Sequence, residues 1–221
     1  MRVSLNYLAA ALISLIFVGV GVHVFLREYD QALRGILPDD AAFSHWSAPD
    51  HVSPYSGDGL VDLLTGCIFG LKSWKTAFQS HEAVLSVASN CEAEADHALR
   101  QHPTLSEAHY LRAYAAYVRD EPEVVRAELA LAQQGAPSDQ WLAVRRVNLA
   151  QKLWPGEAVV GAYSLQNDLG LLIASNNGLN TATRLYIKHP QLREMIVAST
   201  EPLDDAARLR FLNRLRREVR R

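Results

Sequence analysis

The stretch ALRQHPTLSEAHYLRA, Ala98 to Ala113, is followed 34 residues later by a related phrase, AQQGAPSDQWLAVRRV, Ala132 to Val147. The same offset pairs Ala93 with Ala127, Glu94 with Glu128, Ala98 with Ala132, Pro103 with Pro137, Arg112 with Arg146 and Ala116 with Ala150. A fixed period of this size is the signature of stacked helical hairpins. The alanines let two helices approach closely, and each proline ends a second helix before the next hairpin begins. Asp120-Glu121-Pro122 supplies the turn inside the better unit, predicting helices over Ser106–Arg119 and Pro122–Gln134.

Thirty-four residues is the period of the tetratricopeptide repeat, and the stretch from about Ser80 to Leu153, centred on 86–153, resembles that family. Departures from its pattern are visible. His109 occupies the consensus tryptophan position, and Arg112-Ala113 the consensus Leu-Gly pair. One further period back from Pro103 falls on Phe69, and one forward from Pro137 on Leu171, so the repeat is degenerate. A lone hairpin leaves its apolar face uncovered, so flanking helices must complete the core. The resemblance implies a concave face lined by the first helix of the good repeat. Its expected partner-binding residues are His109, Tyr110, Arg112 and Tyr117, joined by Trp141 and Arg145 from the next helix.

Those flanking helices are legible. Trp141–Leu153 is amphipathic, with Trp141, Val144, Leu149 and Leu153 as its apolar positions. Pro155 opens a helix expected to reach Ala174, and Asn176-Asn177-Gly178 makes a turn. Helices follow over Thr181–Lys188, Gln191–Ala198 and Leu203–Arg220, packed on the repeat because no Pro/Gly/Ser-rich linker intervenes. The last helix places Ala206, Leu209, Leu212 and Leu215 or Val219 on one stripe. Asp204 and Asp205 stand at its start, and Arg208, Arg210, Arg214, Arg216 and Arg217 crowd its later turns. The helix dipole accounts for that charge order. A basic docking surface for a membrane face, an acidic protein or an acidic polymer is the functional alternative.

At the other end, Leu8–Leu26 reads LAAALISLIFVGVGVHVFL, with Ser14 and His23 its only polar side chains. At 1.5 Å per residue it spans about 28 Å, close to the hydrocarbon thickness of a bilayer. A cleavable signal would end in small residues; this span ends in VHVFLREY, which predicts an uncleaved anchor behind a short tail, residues 1–7. Basic residues flank both ends, so charge barely decides the orientation. The short tail with Arg2 favours a cytoplasmic N-terminus and an extracytoplasmic remainder, periplasmic in a bacterium. Cys67 and Cys91 permit one disulfide there. Cys91 also sits on an apolar stripe with Val84, Val87, Ala88, Ala95 and Ala98, where a buried free thiol fits equally well. Residues 27–58 form a juxtamembrane segment and linker, rich in breakers from Leu37 to Gly59. Trp46 and Tyr55 point to partial packing there. The helical domain then occupies 59–221.

Composition narrows the function classes. Net charge is −2 and hydrophobic residues make up 49%; a chain without basic excess is not a general nucleic-acid binder. Strand patterns are absent and the class is mainly α. GCIFGLKS (Gly66–Ser73) lacks the phosphate-loop spacing and a preceding strand, so it reads as a helix end with glycine breaks. Ser80–Val84 begins like a zinc-protease helix, but Leu85 stands at the second histidine position. His97, His102 and His109 read as scattered surface residues, and Glu92 and Asp96 as solvated charges. No nucleophile–base pattern occurs around Ser164, Ser175 or Thr183. Neither catalysis, metal nor cofactor is expected.

The expected protein is therefore a single-pass bacterial inner-membrane scaffold. The layout resembles envelope proteins with a short tail, one anchor and a tetratricopeptide-like domain, which serve exopolysaccharide synthesis and export or pilus and secretion assembly. Expected partners are proteins of such a complex, with lipid around residues 8–26 and no nucleic acid. The rival is a binding protein for a polysaccharide or lipid-linked intermediate, using Trp46, Trp74, Trp141 or Trp154 to stack on sugars.

Overall fold

The computed structural model describes residues 2–34, 39–48, 53–153 and 164–220. Among them the chain is helical, with no strand. It divides into two compact units, Met1–Glu94 and Ala95–Arg221, and the division falls inside one helix.

The first unit contains α1 (Arg2–Arg34), α2 (Asp39–Trp46), α3 (Gly57–Lys72), a 3₁₀ turn (Trp74–Phe78) and the start of α4 (His81–Gln101). Within α1, Tyr7–Tyr29 is long and apolar enough to cross a membrane, and none of it is buried. At its end, Glu28 accepts the backbone N–H of Tyr55 and Ser56, both at 2.9 Å, and the Ser56 hydroxyl at 2.7 Å. The Arg27 guanidinium lies 4.7 Å from the centre of the Tyr55 ring. Tyr55 thus packs on α1.

The breaker-rich linker contains a helix that its composition conceals. Phe43 and Trp46 bury the apolar side of α2 against α3. Gly66 explains the fit, since a Cβ there would stand 3.1 Å from the Trp46 ring. α3 also continues through Gly66 and Gly70, correcting the expected glycine break. Its apolar row Leu60, Leu63, Leu64, Cys67, Ile68 and Leu71 is buried at helical spacing. That burial outweighs the roughly 1 kcal/mol cost of each helical glycine. The Ser56 hydroxyl caps α3 by accepting from Gly59 N at 3.0 Å. Cys67 and Cys91 are joined by a disulfide, with Cα atoms 5.7 Å apart, and both are fully buried.

The second unit opens with the end of α4 and continues into the hairpin of α5 (Ser106–Val118) and α6 (Pro122–Gly135). Ala108, Ala115 and Ala116 of α5 and Val125, Leu129 and Ala132 of α6 are buried, as close helix approach requires. α5 ends in a complete Schellman motif: Glu121 N donates to Ala116 O at 3.0 Å and Asp120 N to Tyr117 O at 3.2 Å. Asp120 takes the left-handed position at φ 61°, and Pro122 starts α6.

α7 (Gln140–Ala150), α8 (Leu165–Ala174), α9 (Gly178–Lys188), α10 (Arg193–Ala198) and α11 (Asp205–Val219) complete this unit; α7, α8 and α9 pack in sequence, and α11 returns onto α8 and α9. Asp139, Ser164 and Asp204 cap α7, α8 and α11 by accepting from the third residue along. The start of the helix expected from Pro155 lies outside the described residues.

Two helix faces differ from expectation. α7 buries Leu142, Ala143, Arg146, Val147, Leu149 and Ala150, while Trp141 points out and Leu153 is half-buried. The cause is an ion pair. Arg146 is fully buried because Asp168 of α8 meets it twice, Nε to Oδ2 at 2.7 Å and Nη2 to Oδ1 at 2.8 Å, while Nη1 donates to Ala132 O at 3.2 Å. α11 likewise buries Ala207 and Phe211, not Ala206, Leu209, Leu212 and Val219, which are exposed. The Phe211 ring stands edge-on to Tyr186 of α9, centroids 6.2 Å apart.

Candidate functional site

Of the six residues expected on the partner-facing surface, two are inside. Tyr110 is fully buried and His109 nearly so. α5 is covered on most of its circumference, so the premise that one of its faces is open fails there. Burial raises the Tyr110 hydroxyl well above its ordinary value of 10.

His109 is therefore no surface histidine. Its Nδ1 lies 2.8 Å from Glu128 Oε2 and its Nε2 3.1 Å from the Pro103 carbonyl. Both partners accept, so both ring nitrogens can donate only as the imidazolium. Chiefly through the Glu128 hydrogen bond, the pKa is raised above 6.5. Arg112 closes the network, reaching Glu128 Oε1 at 3.2 Å and Asp96 Oδ1 at 3.5 Å. Arg112 and Arg146 share a repeat position, and each neutralises a buried carboxylate. His97 and His102 stay apart from this cluster; His97 contacts Gln101 at 2.8 Å.

Tyr117 is half-buried, with the Lys152 ammonium 4.9 Å from its ring centre and 5.6 Å from that of Tyr114. Burial pushes the Tyr114 hydroxyl up to about 12. The groups left for a partner lie on α7. Trp141 is 76% exposed, and half-buried Val144, Arg145 and Asn148 continue its face at helical spacing.

The basic helix α11 splits by direction. Arg208 pairs with Asp205 at 3.6 Å, Arg210 donates to Ala174 O at 3.2 Å, and Arg214 pairs with Glu218 at 3.1 Å. Arg216 and Arg217 are exposed, with Arg220 beyond them.

Two further features escaped the sequence reading. Phe69, Trp74 and Phe78 of the first unit are exposed, with the Trp74 and Phe78 rings edge-on at 5.8 Å. In the second unit an open groove of about 520 Å³ is lined by Asn180, Arg184, Ile187, Lys188 and Arg214, among others. The Arg184/Lys188 spacing, four residues on one helix, was its only signal. Among the described residues no group of three or more His, Cys, Asp or Glu is placed to hold a metal ion. Trp46 is buried, and Trp154 lies outside the described residues.

The chain was compared with protein-family models, with curated proteins and with solved structures, and nothing matches it in any of the three.

Proposed function

We propose that the chain is a membrane-anchored, non-enzymatic scaffold of bacterial envelope assembly, whose tetratricopeptide-like second unit docks a protein partner through the outer face of α7. The exopolysaccharide machinery is the first setting to test, and pilus or secretion assembly the next. Trp141 carries the reading. A tryptophan 76% exposed on a regular helix, four residues before a half-buried arginine, matches the residue types that dominate protein–protein hot spots. The buried His109 and Arg146 of the same unit are committed to structural pairs with Glu128 and Asp168. The apolar helix Tyr7–Tyr29 supports single-pass anchoring in the inner membrane. The Cys67–Cys91 disulfide supports a periplasmic location for the rest, since such bonds persist in oxidising compartments.

The test is recovery of partners from gently solubilised native membranes by the full chain and by Trp141→Ala/Arg145→Ala. The reading expects a defined protein to be lost in the double variant while its circular dichroism and thermal unfolding stay unchanged. Equal recovery by both forms would remove α7 from the reading.

A second reading, glycan binding, is favoured by the same exposed indole, a sugar-stacking surface, and by the polar α9 groove. Acrylamide quenching separates the two. Protection of Trp141 by an acidic polysaccharide, absent in Trp141→Phe, would favour the glycan.

A further inference from the structure

α11 leaves a second surface open. Its inward side is filled by Ala207 and Phe211. The outward side carries Leu209, Leu212 and Val219, exposed by 59%, 46% and 74%. At 100° per residue these three span about 80° of the helix, with Arg216 between them. Arg220, Asn213, Arg217 and Arg210 follow along one flank. Asn213, Arg216, Arg217 and Arg220 together line a shallow open depression. Of the acids of this helix, Asp204 caps its start and Glu218 faces Arg214 at 3.1 Å, while Asp205 stands on the outward side in the first turn, four residues before Leu209, with Arg208 at 3.6 Å. Beyond that first turn the outward face is apolar and cationic at once.

We infer that the outward face of α11 lies on a bilayer surface bearing anionic headgroups, making a second, reversible membrane contact. Two properties select lipid over other anions. A free acidic polymer is served by the arginines alone and leaves Leu209, Leu212 and Val219 in water. A lipid interface uses both, with the apolar row at the acyl boundary and the guanidiniums among the phosphates. The inference rests on the anchored reading above, because a chain held in a bilayer by α1 keeps α11 near that surface without an affinity of its own.

The experiment uses the full chain with Asn213→Cys as the sole free thiol, labelled with an environment-sensitive fluorophore and inserted in nanodiscs. One set is phosphatidylcholine; the other contains phosphatidylglycerol. The inference expects a blue shift and protection from aqueous quencher in anionic discs only, weakening with salt. Each Arg→Gln change should lower the docked-to-undocked ratio about fivefold. The combination Arg216→Gln/Arg217→Gln/Arg220→Gln should therefore lower it on the order of a hundredfold. Leu209→Ser/Leu212→Ser should also release the helix. A silent probe in anionic discs, or an equal shift in neutral ones, overturns the inference. So does binding of soluble polyglutamate that outcompetes the discs and ignores the leucine changes, which would indicate an acidic polymer instead. Retention on neutral discs through a high-salt wash reports the α1 anchor separately. Loss of anchoring sinks the anchored reading, whereas the probe decides α11 on anionic discs either way.

Discussion

Asp120 holds a left-handed backbone position, φ 61°, that glycine occupies without a Cβ penalty. Asp120→Gly is expected to stabilise the second unit by about 0.5–1 kcal/mol, read as a higher denaturation midpoint at unchanged slope. His109 gives a pH-dependent counterpart. Its folded pKa is raised above 6.5, first by Glu128. Its stabilisation is therefore full below the unfolded value and is lost as pH climbs through the higher folded value. Denaturation at a series of pH values from about 5.5 to 8.5 should show this decline, and His109→Gln should flatten it. None of this was legible locally. The sequence marks Asp120 as part of a turn, but its φ depends on how α5 ends. His109 looked like solvent decoration because its partner Glu128 stands 19 residues away.

At the scale of elements, the described helix positions were largely legible and two helix faces were not. Pro122, the Ser and Asp caps and the turn at Asn176–Gly178 are local signals, and they fall where the helices begin and end. Which side turns inward is a tertiary matter. The apolar count sets Trp141 on one stripe with Leu149 and Leu153 while the repeat resemblance sets it on the partner face; Arg146 turns inward to Asp168 and the tryptophan turns out. α11 carries two apolar rows, and the aromatic Phe211 takes the buried one. α2 is hidden in the sequence because Pro and Gly around it mask a two-turn helix held by Phe43 and Trp46. Removing one partner of the buried pair strands a charge: Asp168→Ala should destabilise the second unit by about 3–5 kcal/mol. Arg146→Met/Asp168→Leu, which removes both charges, should recover most of that in chemical denaturation. A double variant as unstable as the single one would show that the pair's geometry, not its charge, holds α7 on α8.

Over the whole molecule, the helix apolar enough to cross a membrane and the disulfide belong to the first unit, and the proposed docking face to the second. The disulfide closes a loop of 24 residues, for which chain entropy gives about 3 kcal/mol. Cys67→Ser/Cys91→Ser should lower the stability of the first unit by about that amount, measured by hydrogen exchange in α3 and α4. The measurement that reaches the central claim most directly is photo-crosslinking in intact cells, with p-benzoylphenylalanine at Trp141 and, as a control, at exposed Gln134 of α6. The account predicts one discrete heavier adduct from position 141 and none from 134. No adduct at 141, or the same adducts from both positions, would contradict a docking face on α7.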